Sequence, residues 1–234
     1  MSQATMHKEE KEFAFSDREF RFLSELVAQR TGIVLAEHKR DMVYSRLARR
    51  LRALRLTSFA DYCALVQSEQ GEAEMGNLVN AITTNLTSFF RESHHFDHLR
   101  DQVIRPLVAS SPSPKRLRIW SSACSSGMEP YSIAMTVKHS LPNLASWDAR
   151  ILATDIDTNM LETGKKGQYT GDQLENIPPS YRSSVEQSKA DGRITMSEDL
   201  KQLIAFKHLN LLDHWPMQGP FDAIFCRNVV IYFD

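Results

Sequence analysis

Residues 117–130 read LRIWSSACSSGMEP, and their pattern indicates the fold class of the C-terminal half of the chain. The first four residues form a short apolar strand, and the small residues after Trp120 form a turn that includes Gly127. A helix is predicted from Glu129, with Pro130 in its first turn. A strand, a tight turn and a helix in direct succession are typical of a parallel sheet whose strands are joined by helices.

Three further strands are predicted at 150–154, 204–209 and 222–226. The alternation of strands with helices predicts an α/β fold with a parallel sheet and right-handed crossovers. Residues 164–200 are too long a polar stretch for a simple connection. We therefore expect a small inserted β subdomain in that stretch, with a hairpin turn at 190–192.

The N-terminal half has the apolar periodicity of helices. Ser16 and Glu19 have the spacing of a capping box, and Gly32 closes the helix that they begin. Further helices are predicted at 39–56, 58–69, 72–84 and 94–107.

A Ser/Pro-rich break at 110–115 cannot continue a helix and suggests a joint between the two halves. The predicted organisation is a flexible N-terminus, a helical domain, a linker and an α/β domain. Their expected bounds are 1–15, 16–108, 109–115 and 116–234, and the inserted subdomain lies at 164–200 within the last.

Composition excludes several classes of protein. Hydrophobic residues make up 42% and charged residues 24% of the 234 residues, which is ordinary for a globular chain. The net charge of −1 argues against a nucleic-acid-coating protein, and no apolar run is long enough to cross a membrane. The three scattered cysteines, Cys63, Cys124 and Cys226, predict no disulfide framework or structural zinc site and favour a cytoplasmic location.

The predicted strand ends indicate a nucleoside-containing cofactor. In open parallel sheets, ligands bind beyond the carboxyl ends of the strands, and Asp155 at the second such end suits a ribose diol. The first loop contains only one glycine, Gly127, and no following lysine, so little there would cradle a phosphate. Acidic groups such as Glu129 and Asp155 suit the cationic sulfonium of S-adenosylmethionine (SAM).

Four blocks of sequence, at 84–92, 120–134, 153–157 and 221–233, resemble the chemotaxis-receptor glutamate methyltransferases (CheR). The similarity runs from about residue 15 to the end of the chain. It implies a class I SAM-dependent methyltransferase domain, with a Rossmann-like parallel sheet, joined to an all-helical N-terminal domain. The implied reaction is methyl transfer from SAM to glutamate side chains of methyl-accepting chemoreceptors, which gives methyl esters for chemotactic adaptation and S-adenosylhomocysteine (SAH).

The resemblance also implies which residues form the site. Two of them, Arg91 and Tyr232, would lie nearest the reacting methyl group as catalytic residues. The implied cofactor contacts are Asn85, Thr87, Arg91, Glu129, Asp155, Asn210, Leu211, Arg227 and Asn228.

The helix at 39–56 carries a row of arginines and would be the substrate-docking surface of the helical domain. The expected partners are the cytoplasmic methylation helices of transmembrane chemoreceptors, which are acidic around their glutamates. An ordinary solvated helix face is the alternative reading. The expected docking residues are Arg46, Arg49, Arg50, Arg52 and Arg55.

The sequence leaves other functions open. Met128 stands where the family usually has the first of two glutamates, and little loss is expected because the implied cofactor contact is Glu129. The chain stops at Asp234 although family members continue. One alternative is therefore a SAM-binding interaction module with little turnover. Another is a methyltransferase for a different acidic partner. A nucleic-acid binder is disfavoured, and no metal site is expected because His94 and His98 have no evident third ligand.

Overall fold

The computed structural model describes residues 11–111 and 113–233, without the side chain of Gln70. Its contacts divide the chain into two compact units. Of the described residues, the first unit, called the helical unit here, contains residues 11–82 together with Tyr232 and Phe233. The second, called the sheet unit, contains Thr83–Ile231.

The helical unit begins with the predicted capping box. The Ser16 hydroxyl accepts the backbone N–H of Glu19 at 3.3 Å, and the Glu19 carboxylate accepts the Ser16 N–H at 2.6 Å, which confirms the prediction. Gly32 ends the helix in the left-handed conformation, with φ of 71°. The four α-helices are α1 (Asp17–Thr31), α2 (Arg40–Leu54), α3 (Phe59–Gln67) and α4 (Glu72–Ile82).

The apolar stripe of α2 forms the centre of this unit. The helical spacing predicts a stripe of Val43, Leu47, Leu51 and Leu54. The first three are fully buried, whereas Leu54, the last residue of α2, is half-buried. Residues 1–10 of the expected flexible N-terminus lie outside the described residues. Residues 11–15 pack instead on the helices, because Phe13 is buried and its N–H donates to the Tyr44 hydroxyl at 3.2 Å.

The next helical stretch belongs to the sheet unit. It consists of α5 (His94–His98), a π-helical segment (Leu99–Ile104) and α6 (Arg105–Ala109). Its buried side chains, Phe96, Leu99 and Ile104, join the apolar core that contains the strands. The contacts therefore divide the chain at Ile82/Thr83, whereas the Ser/Pro-rich break had suggested 109–115. Local turn chemistry marks the end of a helix but does not reveal which core the helix packs on.

The four strands that the sequence predicts form one parallel sheet. They are β1 (Arg116–Ser121), β2 (Asp148–Asp155), β6 (Ile204–His208) and β7 (Ala223–Phe225), and they pair in the order β6-β2-β1-β7. Helix α7 (Met128–Ser140) follows β1 and is almost wholly buried, and α8 (Thr158–Lys166) follows β2. This architecture confirms the predicted α/β class with an all-helical N-terminal part.

The predicted insertion is a small antiparallel sheet. Its strands β3 (Gln168–Tyr169), β4 (Val185–Gln187) and β5 (Ile194–Met196) pair in the order β3-β5-β4. The hairpin between β4 and β5 is closed by the Ser188 N–H, which donates to the Arg193 carbonyl at 2.8 Å. A short helix, α9 (Glu198–Lys201), then leads to β6.

Candidate functional site

The loop after β1 approaches its neighbours so closely that only glycine fits at its end. Gly127 has φ of 89°, and a Cβ there would lie 2.8 Å from the Gly164 Cα atom. The loop is also tied to β2, because the Cys124 N–H donates to the Thr154 carbonyl at 2.8 Å. The small residues of the sequence therefore reflect a backbone packed against backbone.

Asp155 ends β2 directly beside this loop. Its Oδ2 accepts the Ser125 N–H at 2.6 Å, and its Oδ1 accepts the Asp157 N–H at 2.9 Å. Burial raises the pKa of Asp155 above its ordinary value, although these N–H groups pull it in the opposite direction. The carboxylate thus stands at the carboxyl end of the sheet, where parallel sheets bind ligands.

Glu129 lies in the first turn of α7 and is held on both carboxylate oxygens. Oε1 accepts the Ser121 hydroxyl at 2.7 Å, and Oε2 lies 2.8 Å from Nη1 of Arg227. Burial raises the pKa of Glu129, and the opposing effects of Ser121 and Arg227 do not cancel that increase.

Arg227 connects the loop after β7 to the segment that contains Arg91. Its Nη2 donates to the Arg91 carbonyl at 2.5 Å and to Glu92 Oε2 at 3.1 Å. The Arg227 guanidinium and the Asn228 side chain both lower the pKa of the Glu92 carboxyl. One guanidinium therefore bridges two carboxylates and a main-chain oxygen.

The backbone on either side of Arg91 is unusual. Phe90 and Glu92 both have positive φ values, 49° and 55°. The Phe90 N–H donates to the Ser132 hydroxyl at 3.0 Å, which anchors this turn to α7. Arg91 itself is half-buried, and its Nη1 donates to the Leu86 carbonyl at 2.7 Å.

The other predicted cofactor contacts follow the strand ends. Asn85 donates through Nδ2 to Asp157 Oδ2 at 2.7 Å. The main-chain carbonyl of Asn85 accepts the Ser125 hydroxyl at 3.2 Å. Thr87, in the same segment, is half-buried. After β6, the Asn210 side-chain oxygen accepts the Leu212 N–H at 3.1 Å.

Leu211 and Asn228 complete the predicted set. The Leu211 carbonyl accepts the indole N–H of Trp215 at 3.1 Å. Asn228 adopts φ of 53°, in the left-handed region that asparagine tolerates better than most residues. Every predicted cofactor contact therefore belongs to the sheet unit.

Tyr232, the other predicted catalytic residue, belongs to the helical unit. Its carbonyl accepts the Val34 N–H at 3.2 Å, and the Lys39 ammonium lies 5.6 Å from the centre of its ring. Arg91 and Tyr232 are thus described in different units.

The predicted docking helix contains arginines of two kinds. Arg46 donates to the Ile82 carbonyl at 2.7 Å and so caps the end of α4. Arg50 forms a bidentate ion pair with the buried Glu74 carboxylate, in which Nε donates to Oε1 at 2.9 Å and Nη2 to Oε2 at 2.6 Å. The same carboxylate accepts the Tyr62 hydroxyl at 3.1 Å. These two arginines are therefore built into the packing of the helical unit.

The other three predicted docking arginines are exposed. Arg52 pairs with Glu12, whereas Arg49 extends from the helix surface and Arg55 is the left-handed residue that ends it. Three of the five predicted docking arginines are thus exposed, and the docking role itself stays a prediction.

Three polar residues that contact the predicted set were missed. Ser121 donates a hydrogen bond to Glu129, and Glu92 forms an ion pair with Arg227. The buried Asp157 accepts a hydrogen bond from Asn85. A signal for Asp157 was present in the Asp155-Ile156-Asp157 spacing, since two carboxylates follow one strand end. Nothing in the local sequence indicated the partners of Ser121 and Glu92.

The geometry fits a nucleoside with a cationic group better than one with phosphates. Asp155 is buried and the Glu129 side chain is only 12% exposed, and both lie at one edge of the sheet. The only glycine of the β1–α7 loop serves close packing. Among residues 11–111 and 113–233, no set of three or more His, Cys, Asp and Glu side chains is arranged to hold a metal ion. No helix within those same ranges has the length and apolar character needed to span a bilayer.

Comparison with known protein families gives two matches that cover most of the chain. Residues 85–234 match the CheR methyltransferase, SAM binding domain, and residues 18–83 match the CheR methyltransferase, all-alpha domain. The two matches meet near the division between the two units.

Individual relatives agree with these matches. A probable chemotaxis protein methyltransferase of Rhizobium etli is 48% identical over 206 residues, which cover 87% of this chain and 77% of the relative. The chemotaxis protein methyltransferase of Escherichia coli is 45% identical over 225 residues, covering 94% and 76% of the two chains. Chemotaxis protein methyltransferase 2 of Pseudomonas aeruginosa is 45% identical over 229 residues, covering 95% and 79%.

Proposed function

Because the chain belongs to the CheR methyltransferase family and is a SAM-dependent chemotaxis protein methyltransferase, we propose that it esterifies glutamate side chains of methyl-accepting chemoreceptors. The acceptors are the cytoplasmic methylation helices of these transmembrane receptors, so the enzyme works in the cytoplasm. The observation that carries the proposal is the pair of carboxylates at the ligand-binding edge of the parallel sheet: Asp155, which is buried, and Glu129, which is mostly buried.

Asp155 and Asn85 are assigned to the nucleoside of SAM. An ionised carboxylate accepts both hydroxyl hydrogens of a ribose, which is why Asp155 suits that part of the ligand. Asn85 is tied to the same edge through Ser125, whose N–H also binds Asp155. The remaining assigned cofactor contacts are Thr87, Arg91, Glu129, Asn210, Leu211, Arg227 and Asn228.

When bound, SAM supplies a methyl group on a cationic sulfonium. The acceptor glutamate is already ionised at neutral pH, so the chain needs no general base. The task of the protein is to align the acceptor carboxylate with the methyl group and to exclude water. Removing water strengthens the attraction between the anionic acceptor and the cationic donor, because it lowers the local dielectric constant.

Arg91 and Tyr232 are assigned to the acceptor side of the reaction. Arg91 holds the acceptor carboxylate, and its turn is supported by Arg227, which binds the Arg91 carbonyl. Tyr232 donates a hydrogen bond from its hydroxyl that orients either the acceptor or the cofactor. Neither group transfers a proton, since the reaction consumes none.

Receptor docking is assigned to the exposed arginines of α2 and its C-terminal end, mainly Arg49 and Arg55, with Arg52 beside them. Positive side chains on this surface complement the acidic surroundings of the methylated glutamates. Arg46 and Arg50 stabilise the helix that carries this surface. Arg46 binds the carbonyl at the end of α4, and Arg50 binds Glu74.

The test is methyl transfer from radiolabelled SAM to receptor-containing membranes, followed by base treatment. Release of labelled methanol is expected, because glutamyl methyl esters are base-labile. Label that resists base, or that appears equally without receptor, contradicts the proposal. The variant Arg49→Glu should slow transfer in a salt-sensitive manner, and the matched surface variant Arg150→Glu, in the sheet unit, should not.

A further inference from the structure

The Asp157 side chain is buried, with an exposed fraction of only 1%, and both of its carboxylate oxygens accept hydrogen bonds. Its Oδ1 accepts the N–H groups of Asn159 at 2.9 Å and Met160 at 3.2 Å, at the start of α8. Its Oδ2 accepts the Thr83 hydroxyl at 2.7 Å and the Asn85 Nδ2 at 2.7 Å.

Helix capping accounts for only one of these two oxygens. An N-cap residue needs a single side-chain acceptor, and serine, threonine or asparagine provide it as well as aspartate does. Burying a carboxylate is costly. The second oxygen of Asp157 therefore has a role other than capping α8. It binds the side chains of Thr83 and Asn85.

That second oxygen determines the orientation of the Asn85 amide. Among the described residues, both hydrogen bonds of the Asn85 side chain are made by Nδ2, to Asp157 at 2.7 Å and to the Thr83 hydroxyl at 3.3 Å. A carboxylate can only accept hydrogen bonds, so the amide must turn its NH₂ group towards Asp157. The Asn85 carbonyl oxygen Oδ1 is then the group that remains for a ligand.

We propose that Asp157 is a positioning residue for the cofactor: it fixes the Asn85 amide so that Oδ1, and not the NH₂ group, is presented to the nucleoside of SAM. This inference rests on the proposed function, because the contact between Asn85 and SAM is part of it. Asp157 acts through Asn85 and does not itself touch the ligand.

The variant Asp157→Asn separates the two roles. The new amide keeps one oxygen to cap α8, but its NH₂ group now faces the NH₂ group of Asn85, so the Asn85 amide turns or loses its partner. We expect the affinity for SAH, measured by calorimetry on the full chain, to fall about tenfold, which corresponds to one hydrogen bond of about 1.4 kcal/mol. The KM for SAM should rise while kcat at saturation changes little.

A second substitution tests the orientation directly. Asn85→Asp alone leaves the cap intact but sets two carboxylates face to face, and it should also weaken SAH binding. Combined with Asp157→Asn, the new carboxylate at 85 accepts from the new amide at 157 and still offers an oxygen to the ligand. The double variant should therefore bind SAH better than either single variant, which loss of packing alone would not produce.

The control is Asp222→Asn. Asp222 accepts the Arg118 N–H at 2.7 Å at the opposite end of the sheet, and asparagine can keep that bond, so SAH affinity should be unchanged. The inference is overturned if Asp157→Asn binds SAH as the unaltered protein does, or if the double variant binds no better than the single ones. Absence of SAH binding in the unaltered protein would instead overturn the proposed function.

Discussion

Arg227 and Glu129 form an ion pair of 2.8 Å between Nη1 and Oε2, and their side chains are only 10% and 12% exposed. The same guanidinium binds Glu92 and the Arg91 carbonyl, so it connects the ends of β1 and β7 with the turn at Arg91. A single residue thus determines how three parts of the candidate site meet.

Replacing Arg227 by methionine should destabilise the protein and abolish tight SAH binding. The substitution leaves Glu129 buried without its cation, which typically costs about 3–5 kcal/mol. Chemical denaturation measures the loss, and Arg150→Met serves as the control because Arg150 is exposed on β2. A loss below about 1 kcal/mol would mean that the pair is worth no more than an exposed ion pair.

The affinity for SAH should fall as the pH is lowered through the pKa of Asp155. Burial raises that pKa above its ordinary value of 3.8, and only the ionised form accepts both ribose hydroxyls. Asp155→Asn should bind weakly with a flatter pH profile. A profile identical to that of the unaltered protein would remove Asp155 from the ligand contacts.

The stability of the empty protein should change with pH in the opposite direction. An acid whose pKa is raised by folding contributes stability that is present below its unfolded pKa and is lost as the pH rises through its folded pKa. Asp155 and Glu129 both have raised pKa values, so their contribution declines as the pH increases above about 4. Urea titrations at several pH values, with and without SAH, measure the two trends separately.

The two kinds of arginine on α2 should respond differently to substitution. Arg50→Ala leaves the buried Glu74 without its cation and should lower the free energy of unfolding by about 3 kcal/mol. Arg49→Ala should change stability by less than about 0.5 kcal/mol, as exposed substitutions usually do, but should slow receptor methylation. Equal stability of the two variants would contradict the division into supporting and docking residues.

Gly127→Ala should lower both stability and SAH affinity. Alanine is strained at φ of 89°, and its Cβ would lie 2.8 Å from the Gly164 backbone. The matched control is Gly76→Ala in α4, where a Cβ meets nothing within 4 Å and alanine should stabilise the helix by about 0.5–1 kcal/mol. If both substitutions had the same sign, close packing of the β1–α7 loop would not explain the glycine.

Tyr232→Phe should slow methyl transfer more than it weakens SAH binding. The hydroxyl is the only group removed, and its proposed task is to orient the reactants during transfer. Single-turnover rates and calorimetry on the same variant separate the two effects. Unchanged turnover with weaker SAH binding would assign Tyr232 to the cofactor alone.

The sequence predicted most of the fold because local chemistry determined it. The capping box at Ser16, the stop at Gly32 and the apolar stripe of α2 all act within a few residues, and each was found. The division between the units was placed differently, because the core that receives Phe96 and Ile104 is chosen by contacts with distant strands.

In the candidate site, too, the sequence predicted what depends on neighbouring residues and missed what depends on distant ones. Residues such as Asp155 and Glu129 stand at strand ends that the pattern located, so their place at one edge of the sheet could be predicted. The partners of Arg227, Asn85 and Arg50 could not, because each pair joins residues far apart in the chain. From their positions in the sequence, Arg46, Arg50 and Arg49 were all assigned to docking. Only the packing of the helical unit distinguishes Arg46 and Arg50, which bind neighbouring groups, from the exposed Arg49.

Calorimetric titration of the full chain with SAH measures whether the sheet edge at Asp155 binds the cofactor. We expect saturable binding at one site per chain, weakened by Asp155→Asn and unaffected by Asp222→Asn. A protein that is folded by circular dichroism yet releases no binding heat with either SAH or SAM, at several temperatures, would contradict this expectation.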